Sequence, residues 1–470
     1  MVDFEKYGYI APIVLFLWFP FVIYLFSSRK VVKAAAQSVI WGMMFLPEAV
    51  ELDLPVLPPL NKYHLTAIAV LLCIKWKAPE RIRAARFGRG YDWFILIAIF
   101  AAIFITTSYN DDRLVYGTYK VSVIEPFLKY DSVVFSFGVF FSIMVPYWIG
   151  RATIRSSQDM IVFLRVFVTG AMVYTIPILW ELKMSPRLHA DLYGYASRSD
   201  WFQNIRAGGW RPTVFMGHGL VVAFFMCIAF VSSLLLKRLG LKRMLGMPMW
   251  LVTAVLFVFL ILCKSSGPLA YALFAWLVLK LKPRKQFWLV AFLASLVLSY
   301  PVTRMTDFFP TKLILETAET IFGKDRMESQ QFRFDNEDML LTKGSEKFFF
   351  GWGGFGRDRV YAAEDGRDMT VQDGWWIMIF GQQGFVGFIC IFAVLLLPLF
   401  RLKKKTRKFA RFDKHLIAGV ALIAGLCAVN TLPNMSFPNI HMIFVAGLSV
   451  LLKTTKKSCV IAAKTSTVKV

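Results

Sequence analysis

An all-α, polytopic bundle of membrane-spanning helices is the fold class this sequence predicts, and three observations carry the prediction. Of the 470 residues, 57% are hydrophobic and only 18% charged, and the mean hydropathy is +0.56. Soluble domains already bury nearly all the apolar surface their volume allows, so an excess of this size requires lipid as solvent. Charge-free runs also recur at the length of a bilayer crossing, and basic residues gather in alternate gaps between them. Cytosolic enzymes and nucleic-acid readers are thereby nearly ruled out.

Taken in order, Tyr7 to Ser28 is the first run without Asp, Glu, Lys or Arg, and it reaches the roughly 18 to 20 residues a helix needs to span a bilayer. Asp3 and Glu5 precede it and no small-residue cleavage site follows, so a retained anchor is expected rather than a secretory signal. Weaker apolar runs at 34–47 and 61–74 are expected as tilted, broken or re-entrant helices, as are 161–180 and 265–279. The stronger runs are Trp93 to Asn110, Ser132 to Gly150, Pro212 to Leu236, Met244 to Cys263, Gln286 to Thr303 and Gly374 to Phe400. Leu416 to Leu452 carries no charge, and Pro433 to Pro438 divides it into a helical hairpin. About thirteen crossings, give or take one, are expected. They fall into membrane helices over 1–301, an external loop over 302–373, C-terminal membrane helices over 374–452 and a basic tail over 453–470.

Orientation follows from the positive charge, because Lys and Arg are retained on the cytoplasmic side. Segments 27–33, 75–91, 151–160, 237–243, 280–285, 401–414 and 453–470 hold 32 of the 54 basic residues, but of the 30 acids only Glu80, Asp159 and Asp413. The net charge of +24 is thus mostly a topology signal with anionic-lipid contact, and nucleic acid is not an expected partner. Five cysteines fall within expected helices and Cys459 in the tail, which leaves no disulfide framework, no zinc spacing and no expected cofactor or metal.

The external loop carries ten basic and fourteen acidic side chains in about 72 residues, and a loop that long is usually functional. Amphipathic helices are expected over Thr311 to Phe322 and Asn336 to Phe348. Gly351-Trp-Gly-Gly-Phe-Gly356 is too rich in glycine for regular structure and marks a close approach of backbone to something.

Three clusters could carry chemistry. Arg206 and Arg211 precede Pro212, whose position in a first helical turn would put backbone N–H groups and a helix dipole toward an anion such as a diphosphate. Arg211 reaching to lipid headgroups is the plain alternative. His218 is a candidate acid, base or sugar contact, or else a buried ring satisfied by a carbonyl. In the second cluster Arg357 and Arg359 could clamp an anion, and Trp352 sits among the same glycines. Asp373 would face a cavity at the membrane surface or serve as an ordinary helix N-cap. Trp375 and Trp376 could stack on a sugar or belong to an interfacial belt. The third cluster, Lys264-Ser-Ser-Gly-Pro268, offers a cation or merely reverses the chain.

Taken together these motifs resemble the bacterial O-antigen ligase/polymerase family. Arg211-Pro-Thr-Val-Phe-Met-Gly-His-Gly219 resembles its Arg…Phe-Gly-(His/Asn)-Pro helix start, and Ser265-Ser-Gly-Pro-Leu269 its Ser-Arg-Gly turn. The stretch from Arg326 through Arg333 and Glu337 to Phe350-Gly-Trp-Gly-Gly354 is similar to the family's loop helix and Gly-Trp-Gly turn. Asp373-Gly-Trp-Trp…Gly381-Gln-Gln-Gly-Phe-Val-Gly387 is similar to its His-Asn-X-(Tyr/Phe)-Leu…Gly-X-X-Gly helix. The chain departs from the pattern at Asp373, where the family has His, and at Ser266, where it has Arg.

The resemblance implies a metal-independent glycosyltransferase of the bacterial inner membrane with its site facing the periplasm. The donor would be a glycan on polyprenyl diphosphate, the acceptor a glycan or lipid hydroxyl, and other polysaccharide-assembly proteins would be partners. Asp373 is the first choice for general base, with His218 and Glu337 as alternates. Arg211, Arg206, Arg357, Arg359 and Lys264 would hold the diphosphate, and Trp375 and Trp352 the sugar. Ligation and polymerisation differ only in the acceptor. The rival readings are a lipid-linked glycan transporter or flippase, and a noncatalytic subunit of an assembly machine.

Overall fold

The structure, a computed structural model, describes residues 7–53, 58–85, 91–196, 204–206, 208–306, 308–406, 409–434 and 438–465. The acids Asp3 and Glu5, part of the 75–91 cluster, residues 435–437 of the expected hairpin break and the end of the tail lie outside them.

Every one of the thirteen apolar stretches forms a helix. They are α1 (Ile10–Ser28), α2 (Val31–Phe45), α3 (Lys62–Lys77), α4 (Tyr91–Ser108), α5 (Lys129–Thr153), α6 (Ser157–Met184), α7 (Gly219–Arg238), α8 (Met249–Leu262), α9 (Ser266–Lys280) and α10 (Pro283–Met305). The loop contributes α11 (Thr311–Phe322) and α12 (Lys324–Glu346), and α13 (Trp375–Phe400), α14 (Arg411–Asn430) and α15 (Pro438–Thr465) complete the chain. Among the described residues α1, α5, α6, α7, α10, α13 and α14 are each long and apolar enough to cross a membrane. Shorter apolar helices stand between them. Among the described residues, strands form three two-stranded hairpins, β1 (Leu114–Tyr116) with β2 (Ser122–Ile124), β3 (Ile205–Arg206) with β4 (Gly209–Trp210), and β5 (Arg243–Met244) with β6 (Met247–Pro248).

The helices divide into inner and outer ones. Most of α7 and α14 is buried, whereas α1 exposes Ile13, Phe16 and Leu17, and α10 exposes Trp288 and Phe292. Apolar faces of that kind are stable against hydrocarbon and costly against water. Helices approach closely where a small residue allows it. A β-carbon on Gly150 of α5 would come within 2.9 Å of the Ile443 backbone of α15, a small-residue contact of the type that joins helices without a hydrophobic driving force.

The chain's connections sort to two ends. At one end Lys77 donates to the Phe26 carbonyl, Arg81 to Thr153, Arg155 to Ala84 and Arg238 to Leu281. At the other end lie the β1–β2 and β3–β4 hairpins, the 263–265 turn, α11, α12 and the glycine-rich stretch; this is called the loop end below.

Three features of these helices differ from expectation. The α7 helix begins at Gly219 rather than Pro212, because segment 212–217 is held as a turn by side chains of other helices. The second loop helix starts twelve residues before Asn336, at Lys324. Within α13, Gly384 adopts φ 63°, ψ −168°, a conformation essentially restricted to glycine, and the helix is interrupted there.

Candidate functional site

The turn before α7 is built on charged groups that apolar helices carry at their ends. Glu181, in the last turn of α6, accepts from the Thr213 and Val214 N–H groups at 2.8 Å each. Tyr174 accepts from Phe215 N–H at 3.1 Å. Lys62, at the start of α3, donates to the Phe215 carbonyl at 2.9 Å and pairs with Glu48 at 2.6 Å. His189 accepts from the Glu48 N–H at 3.0 Å, and burial lowers its pKa. None of these groups was singled out in the sequence, although Lys62 and Glu181 at the edges of apolar runs are the kind of signal that marks a polar network.

On this platform sit the expected anion ligands of the first and third clusters. Arg211 is buried, and its aliphatic stem lies against α7 so closely that a β-carbon on Gly219 would meet Arg211 Cδ at 2.1 Å. The Lys264 ammonium reaches the β3–β4 hairpin, where a β-carbon on Gly209 would stand 2.3 Å from its Nζ. Arg206 is half-buried on β3, and its Nε is buried with no hydrogen-bond partner among the described residues. Neither Arg206 nor Lys264 forms an ion pair among the described residues. Gly219 thus admits a cation beside the first turn of α7 and Gly209 a second at the β3–β4 hairpin, cationic groups of the kind that favour a phosphate or diphosphate. His218 is the N-cap of α7, its Nδ1 accepting from Leu220 N–H at 3.0 Å.

The second cluster divides. Asp373 does not cap α13; Gly374 holds that position, and the Trp375 N–H is satisfied by the Thr431 carbonyl at 2.9 Å. The Asp373 carboxylate is 38% exposed and lies 3.4 Å from Arg333 Nε. Burial raises its pKa and the Arg333 charge opposes that rise. Tyr271 on α9 packs its ring edge-on against Phe224 of α7.

Glu337 occupies a different setting. It is buried on α12, accepts from Tyr300 Oη at 2.8 Å and Trp376 Nε1 at 3.3 Å, and lies 3.3 Å from Arg304 Nε. Burial raises its pKa against those three partners. Arg304 also donates to Asp338 at 2.6 Å and to the Phe334 carbonyl at 3.2 Å. Such saturation makes Glu337 a brace between α10, α12 and α13.

Arg357, expected on the diphosphate, is instead fully enclosed. Its Nη1 donates to the Asp112 and Glu125 carbonyls at 2.9 and 3.2 Å, and its Nη2 pairs with Asp112 Oδ1 at 2.6 Å, so it clamps the loop that carries β1 and β2. Arg359 pairs with Asp368 and lines a cavity of about 320 Å³ together with Tyr116, Tyr361, Lys343 and Glu346. The tryptophans placed on the sugar are covered by the protein itself. Trp352 donates to the Lys343 carbonyl at 2.7 Å, with the Lys343 and Lys347 ammonium groups 3.6 and 4.3 Å from its ring centre. Trp375 packs against Phe392, and Trp376 is fully buried.

The glycine-rich stretch does approach backbone closely, but the backbone is the chain's own. Trp352 and Gly353 donate to the Gly381 and Gln382 carbonyls at 2.8 and 2.9 Å, and Phe385 and Val386 donate to Phe348 and Phe349 at 2.7 and 3.1 Å. The interruption at Gly384 opens the α13 backbone groups that this segment satisfies. Asp358, a buried acid not singled out in the sequence, accepts from Gln372 at 2.6 Å beside this contact, and burial raises its pKa.

Among the described residues no group of three or more His, Cys, Asp and Glu side chains could hold a metal ion. No family model matches the chain, and no curated protein matches it.

Proposed function

We propose that the chain is a glycosyltransferase of the bacterial inner membrane, with the loop end facing the periplasm and a polyprenyl-diphosphate-linked glycan as donor. The observation that supports this most is that Gly219 leaves room for Arg211 at the first turn of α7, while Gly209 leaves room for Lys264 at the β3–β4 hairpin that also carries Arg206. In the reaction the acceptor hydroxyl attacks the anomeric carbon, Asp373 takes the hydroxyl proton, and the bond from that carbon to the diphosphate oxygen breaks. The electron pair leaves on the diphosphate, whose charge the three cations stabilise. Arg333 holds the Asp373 carboxylate in place. Arg357, Glu337 and the buried tryptophans keep the loop docked.

Polymerisation of an exopolysaccharide repeat is favoured over ligation, because Asp373 and Ser266 depart from the pattern the chain otherwise resembles. A transporter would need polar groups along a path through the bundle; here buried Lys62, Glu181 and Arg304 stand in helix end turns at the loop end. The test is release of polyprenyl diphosphate by purified protein in lipid, given a polyprenyl-diphosphate glycan and candidate acceptors, for the native chain, Arg211→Ala and Asp373→Ala. Release by the native chain with a ladder of products supports a polymerase, and a single product a ligase. Equal release by all three proteins would overturn the assignment.

A further inference from the structure

At the end of the bundle opposite the loop, five helices meet around a crevice of about 1280 Å³. Its cations include Arg238 at the end of α7, Lys282 and Arg284 at the start of α10, Lys404 after α13, and Arg411 and Lys414 at the start of α14. No carboxylate lines it among the described residues. Asp413, the one acid in the first turn of α14, accepts instead from Ser157 Oγ at 2.6 Å on a neighbouring helix.

Retention of basic residues on one side of a membrane explains why cations occur at this end, but it does not explain their convergence. Like charges in one crevice repel, and Arg238 and Arg411 are close enough to act on each other directly. Two further features point to a ligand. The α10 and α14 helices both begin at the crevice without a side-chain cap; Pro283 opens α10 and brings no N–H, whereas the first N–H groups of α14, from Arg411 onward, are open to an anion. Arg238 Nη2 donates to the Leu281 carbonyl, while its Nη1 is buried with no hydrogen-bond partner among the described residues.

Phe287, Pro283 and Phe400 supply an apolar wall to the same crevice. A free inorganic anion has no use for such a wall; an amphiphile with a phosphate headgroup uses both parts. We propose that the crevice binds the phosphate headgroup of an anionic membrane lipid, whose chains leave along the outer faces of α10 and α13. This site is remote from the transfer site and does not depend on that assignment.

The test uses the full chain, delipidated in detergent, with native mass spectrometry reading retained lipid as phosphatidylglycerol or phosphatidylcholine is titrated in. Lys282→Gln, Arg284→Gln and Arg411→Gln are combined, since all three residues are exposed. Lys75→Gln, Arg83→Gln and Lys242→Gln, exposed cations of the same end outside the crevice, form the control. Loss of three cations near a lipid phosphate corresponds to about a hundredfold weaker binding, expected for phosphatidylglycerol in the crevice variant and not in the control. Equal losses in both variants, or equal retention of phosphatidylcholine by the native chain, overturn the proposal. Displacement of the lipid by equimolar inorganic phosphate overturns it in favour of a free-anion site. A second reading needs no variant: phosphatidylglycerol raises the native chain's melting temperature above that in phosphatidylcholine, and equal melting in the two lipids counts against the site.

Discussion

Arg333 on α12 stands with its Nε 3.4 Å from the Asp373 carboxylate and donates from Nη1 to the Pro433 carbonyl at 3.4 Å. One cation thereby ties the carboxylate at the mouth of α13 to the turn after α14. Burial raises the Asp373 pKa and Arg333 opposes the rise, so removing Arg333 raises it further. A general base acts in its ionised form, and activity is lost as pH falls through its pKa. In Arg333→Gln the acid limb of the kcat/KM profile is therefore expected at higher pH than in the native chain. An acid limb that stays in place in this variant removes Asp373 from the role of base.

The cations of the site separate into two kinds by their surroundings. Arg211→Ala, Arg206→Ala and Lys264→Ala should lower turnover by about ten- to a thousandfold each, as for other groups that stabilise charge in a transition state, with folded yield near native. Arg357→Ala should act the other way. It leaves the Asp112 and Glu125 carbonyls and the Asp112 carboxylate without their buried partner, at a cost of about 1–3 kcal/mol. Size-exclusion yield and thermal unfolding, measured beside turnover per folded molecule, distinguish the two patterns.

Glu337 and Arg304 test whether the buried brace is structural. Arg304 contacts Glu337, Asp338, Thr311 and the Phe334 carbonyl at once, so Arg304→Ala is expected to destabilise by about 3–5 kcal/mol. Glu337→Gln keeps the shape and can still accept from Tyr300. It should retain turnover per folded molecule close to native. A large loss of turnover in folded Glu337→Gln protein would instead restore Glu337 as a base.

Much of the architecture was legible because lipid imposes a simple rule: a charge-free run of sufficient length becomes a helix, and all thirteen stretches did. Helix starts were less legible. Pro212 is a good first-turn residue by local criteria, yet Glu181 and Lys62, distant in sequence, hold 212–217 as a turn. The same limit governs the site. Arg357 and Arg211 look equivalent among glycines in the sequence. Only the fold shows that Asp112 and Glu125 enclose the first, while the second lies along α7. Trp352 and Trp375 carry the composition of a sugar platform, but a platform also needs an open face, which depends on the lysines and phenylalanine that cover them.

Gly353 offers the sharpest test of loop docking. It has φ 76°, and a β-carbon there would stand 2.3 Å from the Phe127 ring, which itself packs edge-on against Phe135. Gly353→Ala must therefore both strain the backbone and push Phe127 away, costing about 1–3 kcal/mol. Phe127 lies beside the Arg357 guanidinium, so the displacement should loosen the 109–128 segment as well. Hydrogen exchange is expected to quicken first at Trp352 and Gly353, whose N–H groups are held by α13, and then at Phe127, held by the Asn110 carbonyl. The double variant Gly353→Ala, Phe127→Ala vacates the contested space and should recover protection at Trp352. Failure of that recovery would mean that backbone conformation, rather than contact with Phe127, demands the glycine.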